Sequence, residues 1–330
     1  MIAAPLARHR LGRSDVFVTE LSFGGAAIGN LYAPVDDETA RAAVDAAWAG
    51  GIRAFDTAPH YGLGLSERRL GAALADRPRG EYVISTKVGR LLTPVAAPYD
   101  TDDEGFAVPA HSRRVFDFSA DGVRRSLDAS LARLGLDHVD IALIHDPDAH
   151  GEQAVREAYP ALEMLRAQGC VRAIGVGMNQ VPMLARFVAD TDIDVVLIAG
   201  RYTLLDQSAG VELLPAALDR GVAVIIGGVF NSGVLAAPGA GATYDYQAAP
   251  GRLIAHAQAL EALCASFGVP LRAVAARFPL RNPAVASVLI GARSGAEVTD
   301  AIQLRRAEIP AALWTALADR PASAPPGDPA

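Results

Sequence analysis

Residues 139–145 read Val139-Asp-Ile-Ala-Leu-Ile-His145, a nearly unbroken apolar run that ends on a titratable side chain. A strand with one wet face alternates apolar with polar residues, so a run of this kind reads as a strand buried on both faces, as in parallel sheets. Seven further runs share the pattern: Leu21–Phe23, Arg53–Phe55, Tyr82–Thr86, Val171–Val176, Val195–Ile198, Ala223–Ile226 and Ala286–Ile290. Helical patterns separate them: Asp36–Ala49, opened by the acidic stretch DDET, then Ser66–Leu74, Ser119–Leu134, Glu152–Gln168 and Arg252–Phe267. Eight strand and helix units in one chain predict an α/β fold, a closed (β/α)8 TIM barrel. The competing doubly wound sheet has no fingerprint here. Gly175-Val-Gly177 continues into Met178-Asn179-Gln180, Gly24-Gly25 continues into Ala26-Ala27, and no phosphate-binding P-loop motif occurs.

The chain has 330 residues, about the size of one such barrel with extensions. Residues 1–320 are expected to form that single domain, with Arg8–Val18 as an N-terminal hairpin plugging the barrel floor. The Pro/Ala-rich segment Pro321–Ala330 reads as a disordered tail. Two long stretches, Gly89–Asp117 after the third strand and Ala236–Gly251 after the seventh, read as irregular loops at the C-terminal face of the barrel, where such loops carry function.

Hydrophobic residues make up 51% of the chain and charged residues 20%, which excludes bulk disorder, and a net charge of −7 gives no basic surplus for nucleic acid. Cys170 and Cys264 have no metal or disulfide spacing, and no His pair has a zinc-site spacing, so no metal is expected. With no signal-peptide pattern and no run long enough to span a membrane, the expected setting is the cytoplasm, as a monomer or small homo-oligomer that acts on a small molecule.

Four polar residues stand where the chain leaves an apolar run: Asp56, Lys87, His145 and Asn179. In a barrel these strand ends adjoin, and Tyr61, on the loop after Asp56, can reach them. An ammonium beside a phenol lowers the phenol's pKa and a carboxylate holds the ammonium, so Asp56, Tyr61, Lys87 and His145 make a proton-transfer set. Of 30 basic residues, Lys87 is the only lysine. A composition that uses arginine everywhere else retains a compact amine at this one strand end, where a planar guanidinium is no substitute.

The string GGIRAFDTAPHYGLGLSERRLGAAL, followed in order by ISTKVGR, LGLDHVDIALIHDPD and GVGMNQ, resembles the signature of the aldo-keto reductases. The resemblance spans about Leu11–Pro310 and lies nearest the aldose 1-dehydrogenase branch, through STKVGRLL, AGRYTLLDQ and the stretch VFDFSADGVRRSLDASLARLGLDHVDIALIHDPDAH. It implies a barrel that binds NAD or NADP, with Asp56, Tyr61, Lys87 and His145 as the catalytic tetrad. It further implies oxidation of a fucose-like sugar at C1, with pyridoxal oxidation or aldehyde reduction as alternatives within the family. A cofactor-holding regulatory subunit is the alternative outside enzymes. The implied cofactor residues are Asn179, Phe230, Gly233, Arg293, Ser294 and Asp300, with Arg293 and Ser294 at a 2′-phosphate. Departures from the common pattern are Met178 for Ser, Ala199 for Gln, Gly227 for the stacking aromatic, where Phe230 or Tyr202 is the candidate substitute, and Asp300-Ala301 for Glu-Asn.

Overall fold

A computed structural model describes residues 6–99, 101–245 and 247–319. The expected tail Pro321–Ala330 lies outside the described residues. Eight parallel strands close into a barrel. They are β1 (Leu21–Gly24), β2 (Ala54–Asp56), β3 (Val83–Val88), β4 (Ile141–His145), β5 (Ala173–Met178), β6 (Val195–Ala199), β7 (Ala223–Gly227) and β8 (Val285–Gly291). Each pairs with the next in sequence, and β8 returns to β1, with Val288 opposite Leu21. The outer helices are α1 (Asp37–Ala49), α2 (Leu65–Leu74), α3 (Ala120–Leu134), α4 (Tyr159–Ala167), α5 (Val181–Asp190), α6 (Leu213–Arg220), α7 (Gly251–Ser266), α8 (Leu271–Arg277), α9 (Gly295–Arg306) and α10 (Ala311–Ala318).

The two-residue period of a strand divides every run between two cores. Phe23, Phe55, Ile84, Ile144, Val176 and Ile226 face outward into the layer between barrel and helices. Ala54, Ile141, Leu143, Ala173, Leu197 and Ile225 fill the barrel interior. That is why the runs do not alternate: both faces are dry.

The hairpin over Arg8–Val18 forms as expected, with Arg8–Arg10 antiparallel to Phe17–Thr19. Its tip buries Leu11 and Val16 among the interior residues and so plugs the floor. Gly12 makes this possible: it sits at φ +52°, and a Cβ there would lie 2.3 Å from the Asp194 carbonyl oxygen.

Three expectations are corrected. Gly89–Asp117 is not irregular, because Arg90–Tyr99 and Ala110–Phe116 pair as an antiparallel ribbon. Its prolines look like loop signals, but both strands of a two-stranded ribbon are edge strands, where proline is tolerated. The ribbon is held down by Phe106 and Val108 packed on Leu63, and by Arg114, whose guanidinium donates to the His60 carbonyl at 2.9 Å and braces the ribbon itself through Asp102 at 2.6 and 3.0 Å. Ala236–Gly251 carries a shorter antiparallel pair, Thr243–Tyr244 with Gln247–Ala248. The helix expected over Glu152–Gln168 contains a π turn at Ala154–Ala158, because Pro160 lacks the N–H that a regular helix needs there. Among the described residues, no single helix is long and apolar enough to cross a membrane.

Candidate active site

The inward parity of the strands delivers the polar set to the barrel mouth. Val83, Ser85 and Lys87 alternate on β3, so Lys87 points inward once Ile84 packs outward, and Asp56 and His145 follow the same rule on β2 and β4. Lys87 is 1% exposed. Its Nζ donates to Asp56 Oδ2 at 2.6 Å, to the Thr57 carbonyl at 3.1 Å and to the Tyr61 hydroxyl at 3.0 Å. Ser85 Oγ donates to the other oxygen of Asp56 at 2.7 Å, so both carboxylate oxygens are held.

The loop carrying Tyr61 folds back because Gly62 takes φ +62° and its backbone lies against Gly29, where a Cβ would come within 2.2 Å of the Gly29 oxygen. Ser66 Oγ, donating to the Gly25 carbonyl at 2.7 Å, fixes the end of this loop at the start of α2. The His145 ring stands perpendicular to the Tyr61 ring with centroids 5.8 Å apart, and His145 Nδ1 is buried without a partner. Asp56, Lys87 and Tyr61 therefore form one hydrogen-bonded chain, and His145 faces the phenol.

The titration of these groups reflects burial and charge together. Burial opposes the charge on Lys87, but Asp56 and Tyr61 more than offset it, so the amine is held protonated, its pKa raised. Burial pushes Tyr61 up to about 12 against the pull of the Lys87 ammonium. The expected lowering by Lys87 is thus present but outweighed, because the sequence could not report how dry the phenol is. Burial, then the charges of Arg90 and Lys87, hold His145 well below the usual imidazole range, and it is neutral.

Some functional neighbours carry no sequence motif. His60 is 16% exposed at its side chain and lies 5.6 Å from the His145 ring. Burial and Arg90 bring its pKa down to about 2. Arg90, from the ribbon, donates to Asp146 and contacts His60 Nδ1 at 3.2 Å. Asp146 Oδ2 stands 3.5 Å from His145 Nε2. The position of His60 directly before Tyr61 was the one available signal. Arg90 and Asp146 meet because each stands two residues past the paired positions Val88 and Ile144 on the neighbouring strands β3 and β4.

A cleft of about 560 Å³ leaves the mouth at Asp56 and Tyr61 and runs out over β8, β7 and α9. Of the six residues expected at a cofactor, Phe230, Gly233 and Arg293 line it, together with Ala199 and Gly227, and Asn179, Ser294 and Asp300 do not. Asn179 is half-buried beyond the end of β5. Ser294 caps α9, and Asp300 pairs with Arg272. Tyr202 packs on Phe278 at 5.2 Å and does not line the cleft, so of the two candidate substitutes Phe230 is the one in its wall, beside Tyr32 and Tyr61. Arg272 and Glu297, also in the wall, were not singled out from sequence.

The profile of the Aldo/keto reductase family matches residues 20–319. The chain is 44% identical over 309 residues to D-threo-aldose 1-dehydrogenase of a Pseudomonas species, covering 92% of this chain and 94% of that protein. It is 42% identical over 329 residues to pyridoxal 4-dehydrogenase of Microbacterium luteolum, covering 94% and 96%. The fold is shared with an aldo-keto reductase of Bacillus halodurans solved in its holo form, with a TM-score of 0.74 at 24% identity over 95% of each chain. The chain therefore belongs to the aldo/keto reductase family and is an NAD(P)-dependent oxidoreductase acting at a CH–OH or aldehyde carbon.

Proposed function

We propose that this enzyme oxidises the anomeric C1 hydroxyl of an aldopyranose to the lactone, with Asp56, Tyr61, Lys87 and His145 as the catalytic residues. The observation that carries the mechanism is the chain of contacts from Asp56 through Lys87 to the Tyr61 hydroxyl, at 2.6 and 3.0 Å, at the inner end of the cleft. The cleft suits a dinucleotide: Gly24, Gly25, Gly227, Gly228 and Gly291 make much of its wall, so a long ligand meets backbone, and Arg272 brings to it a guanidinium whose Nε is buried without a partner. Bound NAD(P)⁺ supplies the acceptor for the hydride that leaves C1.

The residues of the chain handle the proton. Tyr61, as phenolate, takes the C1 hydroxyl proton while the C–H bonding pair leaves with the hydride, and the C1–O bond becomes the lactone carbonyl. Lys87 opposes the effect of burial on the phenol and stabilises the phenolate. Asp56 keeps the ammonium aimed. His145, being neutral, donates one N–H to the C1 oxygen without bringing a charge to it. The ribbon packs Phe106 against the Tyr61 and His60 rings, with centroids 6.1 and 5.1 Å apart, and its first residue, Arg90, pairs with Asp146 beside His145, a polar wall suited to a ligand rich in hydroxyls rather than to a small apolar aldehyde.

The similarity to D-threo-aldose 1-dehydrogenase supports the sugar; the similarity to pyridoxal 4-dehydrogenase favours a second reading, in which pyridoxal is the substrate. Following NAD(P)H absorbance with a panel of aldoses and pyridoxal decides between them. The expected result is turnover of a fucose-like aldose, with lactone identified as product. A higher kcat/KM for pyridoxal than for every aldose overturns the proposal.

A further inference from the structure

The outer end of the cleft is built by the turn that opens α9, Arg293-Ser-Gly-Ala-Glu297. Ser294 Oγ accepts from the Glu297 N–H at 3.3 Å as the cap of the helix. The Glu297 carboxylate reaches back, accepting from the Arg293 N–H at 2.8 Å and from its guanidinium at 3.3 Å. Arg293 and Ser294, which the family resemblance places at a 2′-phosphate, both contact Glu297 here. Arg293, Glu297 and Arg272 line the cleft, and Asp300, which does not, pairs with Arg272. Among the described residues at this end of the cleft, two guanidinium groups face two carboxylates, and neither guanidinium is without an acidic neighbour.

We infer that Glu297 selects the cofactor at this site, favouring NAD(H) over NADP(H). A ribose 2′-hydroxyl can donate to the Glu297 carboxylate, a charge-assisted hydrogen bond. An acidic residue reads the same hydroxyl in dinucleotide folds of quite different topology. A 2′-phosphate in that place meets a carboxylate, and to pair with Arg293 it must draw the guanidinium away from Glu297 and leave two like charges facing each other. Glu297 is 45% exposed at its side chain, so the discrimination is screened by salt and narrows as ionic strength rises.

A purely structural role makes a different prediction. Glutamate three residues after a serine cap commonly secures the first turn of a helix. Glu297→Gln keeps an oxygen to accept from the Arg293 N–H and removes only the charge. The test is a fluorescence titration of the enzyme with NADH and with NADPH, with no sugar present, so it does not depend on which alcohol is oxidised. The wild type is expected to bind NADH at least about tenfold tighter than NADPH. In Glu297→Gln that ratio should fall by about tenfold, chiefly through tighter NADPH, with the thermal midpoint nearly unmoved. Equal affinities in the wild type, tighter NADPH, or a ratio unchanged by the substitution overturns the inference.

Discussion

At the floor of the barrel Leu11, Val16 and Val18 enter between strand starts lined by Ala54, Ile141, Ala173, Val195 and Ala223, and the plug is dry and apolar. At the mouth, two or four residues further along the same strands, the inward positions are Asp56, Lys87 and His145. Each end is buried, so burial does not separate them. The difference is what the side chains leave unsatisfied. The floor satisfies itself by packing, whereas the mouth keeps an ion pair fully buried, a phenol with pKa raised to about 12 and an imidazole nitrogen with no partner. Buried charge adds little net stability even when paired. Its retention at one end of a barrel whose other end is lined mainly by apolar side chains and hydrogen-bonded hydroxyls marks the mouth as the candidate site.

The sharpest way to break this contrast is at the mouth. Tyr61→Phe removes the proton acceptor and no packing volume, and kcat/KM for the oxidation should fall by about 10²–10⁴ while NADH binding and the thermal midpoint stay close to wild type. Retention of near-normal turnover would show that the buried phenol is only a packed aromatic.

Lys87→Arg keeps the charge but puts a planar fork into a gap that fits an ammonium, and kcat/KM should drop by about 10² or more. The pH profile sharpens the reading. Tyr61 acts deprotonated and burial already places its pKa at about 12, so wild-type oxidation should climb with pH across the neutral and alkaline range. Disturbing the Lys87 contact removes a pull that lowers this pKa, and the rising limb should move further alkaline. An unchanged profile in the variant would detach Lys87 from the base.

At the floor the effect should appear in stability alone. Leu11→Ala deletes a fully buried side chain, and urea unfolding should show a loss of about 2–5 kcal/mol with kcat/KM within about twofold of wild type. A kinetic effect as large as the mouth variants would mean that the two ends are coupled through the strands. The smallest effect is expected at Asp36, whose Oδ1 caps α1 by accepting from the Thr39 N–H at 2.6 Å. Asp36→Ala should lower the urea midpoint slightly and change nothing in turnover, which separates an ordinary cap from the carboxylates of the mouth.

The barrel was legible in the chain because burial on both faces leaves each strand mostly apolar, without alternation, and eight such runs separated by helical patterns leave few other arrangements. The four mouth residues were legible for a related reason: a titratable side chain that closes an apolar run stands out against it, and Lys87 stands out in composition as well. The ribbon over Gly89–Asp117 was not, because what orders it is the distant pairing of Arg90 with Asp146 and the packing of Phe106 and Val108 on Leu63, while its local signals are prolines and acids. The pKa of Tyr61 was not legible either. Residue types announce which charges are present, but the dryness of a phenol depends on everything folded around it, and here desolvation outweighs the neighbouring ammonium. The same limit applied to Arg293. The sequence by itself supplied a cation at the end of the cleft, and only the first turn of α9, which brings Glu297 back onto it, decided that the cation is already taken.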